Sequence, residues 1–302
     1  MQLFLLVTIQ LSGSDSSRST IKPTVKRSQT ASIFTIIMKK FVLSIFILYL
    51  SIFQLPVFAE VFEGHVQTVD NISIAYDTYK TNHDEVVILA HGWFMTKNSN
   101  AFTKMAEDFS KYYDVIVLDF RGHGESSGKY TFGSKEVEDI KPVINYAQRN
   151  YKKIYLIGFS LGSLISIDYC SKNNNVDKLI LVSAPTDFDK IENNVLSPNA
   201  FVPTLRKFEY KRWTSIRFSL SSLKRNKIKP INEIKKVKIP TLFIAGENDP
   251  IIYKWHNSIL FEASNSTEKK QILIKKGKHA EDLYLYAPET FMNICLDWLR
   301  KS

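Results

Sequence analysis

Apolar residues along this 302-residue chain fall into short continuous runs, and stretches with helical periodicity follow most of them. Continuous apolar runs of about four to eight residues are typical of strands buried on both faces of a sheet. The helical stretches lie near residues 101–112, 134–151, 161–170 and 287–300. The predicted strands are Gly64–Asp70, Ile72–Tyr79, Val86–Ala90, Asp114–Phe120, Lys153–Phe159, Lys178–Ala184, Thr241–Gly246 and Gln271–Lys275.

This alternation of strands and helices predicts the fold class. The first two strands are separated only by the turn residues Asp70 and Asn71, so we expect them to pair directly. Later strands are separated by helices, which favours parallel pairing with helices on both faces. The sequence therefore predicts a doubly wound, mostly parallel α/β sheet of about eight strands.

The segment that begins at Met38 has the layout of a secretory signal peptide. Lys39 and Lys40 precede an apolar run over 41–53, and Pro56 and a small residue at position 59 follow it. We expect a signal peptide over 38–59, cleaved after Ala59, and hence a secreted or periplasmic protein. The alternative is an uncleaved membrane anchor over 41–58, although the run is short for a span.

The remaining parts of the chain then have distinct roles. Residues 1–37 show no sustained periodicity, and we interpret them as an upstream extension from a misassigned start codon or as a disordered tail. Residues 60–302 form the folded domain. The whole chain carries a formal charge of +10, and residues 60–302 carry +5.

One serine lies between two glycines where a predicted strand meets a predicted helix, in the sequence Gly158-Phe159-Ser160-Leu161-Gly162. This is the pattern of a nucleophile elbow, in which a strained turn points the serine hydroxyl out of the carboxyl edge of a sheet. Side chains two residues to either side would clash with neighbouring backbone. The helix that follows presents its N-terminus to developing negative charge.

Four motifs in order make the chain resemble the α/β-hydrolase superfamily, in its esterase and monoglyceride-lipase-like branch. The resemblance covers about residues 61–302. It implies the α/β-hydrolase fold, a serine hydrolase activity on carboxylic esters and no cofactor or metal. The motifs are LAHGW (89–93), DFRGHGESSG (119–128), the elbow, and the pair AGENDPI (245–251) and GKHAED (277–282).

The base of such an enzyme must take the proton of Ser160. His279 follows the last strand and opens at the same edge of the sheet, and the chain order Ser…Asp…His fits. The resemblance implies that His91 is structural, and His123 lies in a glycine-flanked turn. We expect the other three histidines at the surface: His65, His83 and His256.

The acid that orients His279 has three candidates. Asp249 follows the seventh predicted strand at the spacing that this family uses. Glu247 lies two residues earlier, and Asp187 follows the sixth strand, where some family members place the acid. We predict a triad of Ser160, Asp249 and His279.

Two backbone N–H groups are expected to form the oxyanion hole. Leu161, the residue after the nucleophile, supplies one. The resemblance assigns the other to Trp93, and Phe94 is the adjacent alternative.

A basic segment interrupts the alternation of strands and helices, and we predict a short helical lid at about 187–238. Its centre, residues 201–240, holds twelve Lys or Arg and two acidic residues, with aromatic residues interleaved. A solvated lid explains this composition, and so does contact with an anionic membrane surface. Nucleic acid is not an expected partner of an exported hydrolase.

Three functions remain open on the sequence. The first is hydrolysis of small or lipid-like carboxylic esters. The second is an aminopeptidase of the proline iminopeptidase type, and the third is a non-catalytic binding protein with this fold. Two cysteines, Cys170 and Cys295, are too few for a disulfide framework, and we expect buried free thiols on opposite faces of the sheet.

Overall fold

Eight strands build one sheet in the computed structural model of the chain, which describes residues 35–45, 59–191, 216–220 and 228–301. The strands are β1 (Glu60–Gln67), β2 (Ser73–Lys80), β3 (Glu85–Ala90), β4 (Asp114–Leu118), β5 (Lys153–Phe159), β6 (Lys178–Val182), β7 (Thr241–Gly246) and β8 (Lys269–Ile274). Their order across the sheet is β1-β2-β4-β3-β5-β6-β7-β8.

The sheet is mostly parallel, as predicted. Only β2 runs antiparallel to both of its neighbours, β1 and β4. The five remaining pairs, from β4–β3 to β7–β8, are parallel. The carboxyl ends of β3 to β8 therefore meet at one edge of the sheet.

Helices cover both faces of the sheet. The helices are α1 (Asn100–Phe109), α2 (Val137–Asn150), α3 (Leu161–Cys170), α4 (Pro230–Glu233), α5 (Lys254–Ala263), α6 (Asp282–Tyr286) and α7 (Pro288–Arg300). One apolar core lies under α2, α3 and α5, and the other under α1, α6 and α7. Successive β3 residues alternate between them, with Ile88 in the first and Leu89 in the second.

The two cysteines lie one in each core. Cys170 belongs to the core under α3, and Cys295 to the core under α7. Both thiols are free and buried, and burial raises the pKa of each. The prediction of two buried thiols on opposite faces is confirmed.

The first strand begins earlier than the apolar pattern predicts. The predicted strand Gly64–Asp70 is wrong at both ends, because β1 starts at Glu60, which pairs with Lys80. As an edge strand, β1 leaves its first four residues exposed. Antiparallel pairing with β2 therefore defines its bounds, and Thr68 to Ile72 form the turn.

The chain divides into two units, Met1–Pro56 and Val57–Ser302. In the first unit, the structure describes a helix over residues 35–45 with exposed side chains. None of the helices in the described ranges combines the length and the hydropathy that a membrane span requires. The sheet and its helices belong to the second unit.

Most of the predicted lid lies outside the described residues. Within 187–238, the structure describes a short 3-10 helix at Phe188–Lys190, residues 216–220, α4, and a second 3-10 helix at Ile234–Lys236. Residues 216–220 lie along the loop after β4. There Arg217 exchanges backbone hydrogen bonds with Gly122 and Tyr130, at 2.8 Å each.

Candidate active site

Ser160 sits at the turn between β5 and α3, as the elbow pattern predicts. Its φ is +50°, a left-handed conformation that non-glycine residues rarely adopt. Such strain persists where the surrounding structure enforces it, most often at functional sites. The side chain is half-buried at the carboxyl edge of the sheet.

Close packing explains the two glycines of the elbow. A Cβ at Gly158 would lie 2.6 Å from the carbonyl oxygen of Gly162. A Cβ at Gly162 would lie 2.1 Å from the carbonyl oxygen of Ala90, at the end of β3. No side chain fits at either position. Both glycines are therefore required because a Cβ would clash with neighbouring backbone, and not because of their backbone angles.

His279 lies in the loop after β8, next to the predicted acid. Its Nδ1 atom is 3.0 Å from Oδ1 and 2.9 Å from Oδ2 of Asp249, which follows β7. Asp249 Oδ1 also accepts hydrogen bonds from the backbone N–H groups of Ile251 and Ile252, at 2.9 Å each. These donors fix the carboxylate against the imidazole.

The electrostatics of this pair favour an ionised acid. Burial alone would raise the pKa of Asp249, but the charge and hydrogen bond of His279 and the two backbone donors outweigh it and lower that pKa. A carboxylate that is held ionised can accept the Nδ1 proton of the imidazole. It thereby leaves Nε2 as the atom that can take a proton.

Hydrogen bonds at the end of β6 connect the serine turn with the histidine loop. The N–H of Ser160 donates to the carbonyl oxygen of Val182 at 2.8 Å. The next residue, Ser183, accepts a hydrogen bond at Oγ from the N–H of Ala280, at 3.0 Å. Ala280 directly follows His279. The neighbouring residues Val182 and Ser183 therefore contact both the turn of Ser160 and the loop of His279.

The predicted oxyanion donors flank Ser160. Leu161 is the first residue of α3, where backbone N–H groups have no acceptor within the helix. On the other side, a Cβ at Gly92 would lie 3.5 Å from the Cβ of Ser160. Trp93 follows Gly92, and Phe94 has a left-handed φ of +67°.

An aromatic cluster borders the same side of the serine turn. We define it as Trp93, Phe94, Tyr130, Phe132 and Phe218. The rings of Trp93 and Phe94 are 4.2 Å apart, and Phe218 lies 6.2 Å from both Phe94 and Phe132. The cluster places an apolar wall beside the predicted oxyanion donors.

Two of the other histidines are structural, as expected. The ring of His91 is buried, with Nε2 accepting from the N–H of Phe120 at 3.1 Å and Nδ1 lying 2.7 Å from the carbonyl oxygen of Gly92. Burial, aided by neighbouring His91, holds the pKa of His123 well below its usual value. His123 is therefore neutral and enclosed.

The expectation that His256 lies at the surface is wrong. Its ring is fully buried, stacked on Trp255, and Nδ1 is 2.8 Å from Oγ1 of Thr186. Thr186 is 70 positions away along the chain, so local sequence carried no signal of this contact. Of the other two, His65 is exposed and His83 is half-buried.

The competing acids have other partners. Glu247 is exposed, and its carboxylate accepts from the N–H of Lys276 at 3.2 Å. Asp187 is buried, with its carboxylate 3.7 Å from Nζ of Lys229. Both oxygens of Asp249 face His279, which supports Asp249 as its partner.

Sequence reasoning missed a buried polar network under the loop after β3. The carboxylate of Asp119 accepts from the N–H of Lys97 at 2.6 Å and of Glu125 at 2.9 Å, and burial raises its pKa to about 7. Lys97 Nζ pairs with Asp77 at 2.8 Å. The polar residues of the 119–128 motif could have signalled this network, which fixes the loop that carries Trp93.

Among the residues that the structure describes, no group of His, Cys, Asp and Glu side chains is arranged to hold a metal ion.

Comparison with known proteins identifies the same fold. The sequence model of the α/β hydrolase fold family matches residues 85–211. Among solved structures, the esterase Pf2001 of Pyrococcus furiosus superposes with a TM-score of 0.65 at 22% identity. That superposition covers 80% of this chain and 92% of the esterase. At this identity, the likeness is one of fold.

Two curated relatives align over most of their own length. The pimeloyl-[acyl-carrier protein] methyl ester esterase of Wigglesworthia glossinidia brevipalpis is 28% identical over 255 residues, 71% of this chain and 93% of that protein. The thermostable monoacylglycerol lipase of Bacillus sp. (strain H-257) is 20% identical over 228 residues, 70% of this chain and 89% of that protein. With two further relatives, the alignment spans just over half of their length, at 57% and 52%.

Proposed function

Because the model of the α/β hydrolase fold matches residues 85–211 and the sheet has that fold, we propose that this chain is a serine hydrolase of the α/β-hydrolase superfamily that cleaves carboxylic ester bonds through Ser160, His279 and Asp249. The observation that carries the proposal is the hydrogen-bonded pair of His279 and Asp249, at the edge of the sheet where the turn of Ser160 ends. The esterase and lipase among its relatives support hydrolysis of esters.

In the proposed acylation step, Nε2 of His279 takes the proton of Ser160 as the serine oxygen attacks the ester carbonyl carbon. Asp249 accepts the Nδ1 hydrogen bond and stabilises the imidazolium. The N–H groups of Leu161 and Trp93 stabilise the oxyanion. The imidazolium then protonates the leaving alkoxide, and an acyl-enzyme remains.

Deacylation uses the same groups. His279 takes a proton from a water molecule, whose oxygen attacks the acyl carbon. The tetrahedral intermediate forms its oxyanion at the same backbone donors. Its collapse returns the proton to Ser160 and releases the carboxylic acid. No cofactor or metal takes part in this mechanism.

The surroundings of the site favour an uncharged, small or lipid-like acyl group. The aromatic cluster, which includes Trp93, offers an apolar wall. An aminopeptidase would instead need carboxylates free to bind the substrate's ammonium group. Asp187, a candidate for that role, lies 3.7 Å from the ammonium of Lys229. Ester hydrolysis is therefore favoured over prolyl aminopeptidase activity.

Hydrolysis assays on the purified protein test this choice. We expect measurable kcat/KM on p-nitrophenyl butyrate and octanoate, and little or no cleavage of a prolyl arylamide with a free amine. A kcat/KM for the prolyl arylamide above that for the butyrate ester would contradict the assignment. A protein that cleaves neither would support a binding role for the fold.

The proposal includes export and contact with an anionic membrane surface. Lys39, Lys40 and the apolar run over 41–53 support a signal peptide, and the basic residues of 201–240 would attract anionic headgroups. The first strand of the domain begins at Glu60, directly after the proposed cleavage site. Mass spectrometry of the exported protein should find Glu60 at its N-terminus. An N-terminus before residue 41 would favour the anchored form.

A further inference from the structure

Left-handed backbone is found at several non-glycine residues along the edge of the sheet that carries the site, among them Ser160, Ser183 and Ala280. Their φ angles are +50° for Ser160, +49° for Ser183 and +49° for Ala280. Such a conformation is strained and persists only where the neighbours of the residue enforce it. The proposed catalysis explains the strain at Ser160 but not the strain at the other two.

Hydrogen bonds join Ser183 to elements on either side of it. Its N–H donates to the carbonyl oxygen of Ile244 in β7 at 2.9 Å. Its Oγ accepts from the N–H of Ala280 at 3.0 Å, and the hydroxyl is buried with the residue, which is 1% exposed. The residue before it, Val182, accepts the N–H of Ser160.

A second serine strengthens the connection between β6 and the elbow. Oγ of Ser163, in the first turn of α3, donates to the carbonyl oxygen of Gly158 at 2.6 Å. Oγ of Ser163 also accepts a hydrogen bond from the N–H of Val182, at 3.1 Å. The end of β6 is thus fixed to Ser160 and Ser163 by hydrogen bonds of Val182, and to the loop of His279 by Ser183.

We infer that Ser183 is a positioning residue that sets the place of His279 relative to Ser160. The inference rests on the proposed function of these two residues. Asp249 orients the imidazole ring through Nδ1, whereas Ser183 holds the main chain next to His279. Asp249 acts on the imidazole of His279, and Ser183 acts on the main chain of the residue that follows it, so neither contact can replace the other.

The expected effect follows from how strongly proton transfer depends on geometry. A displacement of about 1 Å at a catalytic group can lower the rate about 100-fold. Substrate binding depends much less on the position of the imidazole. Loss of the Ser183 hydroxyl should therefore lower kcat and leave KM nearly unchanged.

Two variants test the inference, and a third is the control. Ser183→Ala removes the hydroxyl, and Ser183→Gly removes it while favouring the left-handed backbone, so that its fold is retained. Ser264→Ala removes a hydroxyl that is also buried and accepts a backbone N–H, from Ser266, at the other edge of the sheet.

We expect both Ser183 variants to lose about 10- to 100-fold in kcat on p-nitrophenyl butyrate, with KM within about two-fold. Their rate of labelling by a fluorophosphonate should fall by the same factor, and Ser264→Ala should match the wild type. In the Asp249→Asn background, Ser183→Gly should lower kcat by a much smaller factor, because the effects of residues that act through one group are not additive.

The outcomes separate the inference from the function on which it rests. An active wild type with a Ser183→Gly variant of equal kcat would overturn the positioning role alone. A loss that appears in KM, or that is equal in the Asp249→Asn background, would also overturn it. An inactive, unlabelled wild type would overturn the proposed function and the positioning role together.

Discussion

The Nδ1 atom of His279 lies within hydrogen-bonding distance of both carboxylate oxygens of Asp249, at 3.0 and 2.9 Å. The side chain of Asp249 is fully buried, and its carboxylate receives two backbone N–H donors from Ile251 and Ile252. It cannot turn away from the imidazole without losing these bonds. The pair is therefore fixed before a substrate arrives.

Replacing the carboxylate of Asp249 tests whether Asp249 or Asp187 is the acid that pairs with His279. Asp249→Asn should lower kcat about 10³- to 10⁴-fold, because an amide that donates to Nδ1 selects the wrong imidazole tautomer. Asp187→Asn, the matched control, should change kcat little, since that carboxylate lies beside Lys229. Steady-state kinetics on p-nitrophenyl butyrate measure both. Full activity in Asp249→Asn with a large loss in Asp187→Asn would move the acid to the loop after β6.

The same pair makes stability depend on pH. The pKa of Asp249 is lower in the folded state than its unfolded value of about 4, so the unfolded chain binds the extra proton as the pH falls. The stability that the ionised carboxylate contributes is present above about pH 4 and is lost as the pH falls through the lower folded value.

Urea unfolding at several pH values measures this dependence. The difference in unfolding free energy between wild type and Asp249→Asn should be largest at pH 5 and above, and should shrink towards pH 3. Glu247→Gln is the control, because its carboxylate is exposed. A difference that grows as the pH falls would show that Asp249 is protonated in the folded state.

Steric contacts at the elbow predict unequal effects of two glycine substitutions. Gly162→Ala would place a Cβ 2.1 Å from the carbonyl oxygen of Ala90, and should destabilise the fold by about 3 kcal/mol or more. Gly92→Ala would place its Cβ 3.4 Å from the carbonyl oxygen of Phe159, an ordinary contact. Its unfolding free energy should stay within about 1 kcal/mol of the wild type. Equal stability of the two variants would contradict the described packing of β3 against α3.

Much of the fold was predictable because its signals are local. The continuous apolar runs at 86–90 and 153–159 match β3 and β5, since strands covered on both faces have no polar side. The elbow was predictable because Gly158 and Gly162 are required by contacts within a few residues of Ser160 or with the adjacent strand. The order of strands then brings Asp249 and His279 to one edge.

Other features depend on contacts between distant parts of the chain. His256 is buried because Thr186 and Trp255 cover its ring, and nothing in the residues around it indicates this. The bounds of β1 follow from pairing with β2 rather than from apolar residues. Ser183 was missed as a possible site residue for the same reason, because its partner Ala280 is 97 positions away.

Covalent labelling of Ser160 tests the central claim most directly. A fluorophosphonate reacts with a serine that a neighbouring base activates. We expect the wild-type protein to gain one adduct by intact mass, mapped to Ser160 by peptide sequencing. Ser160→Ala and His279→Ala should gain none, and Ser160→Ala, which leaves the pair of His279 and Asp249 intact, should unfold at the wild-type temperature. An unlabelled wild type, or a Ser160→Ala variant that is still labelled and hydrolyses p-nitrophenyl butyrate, would contradict the account.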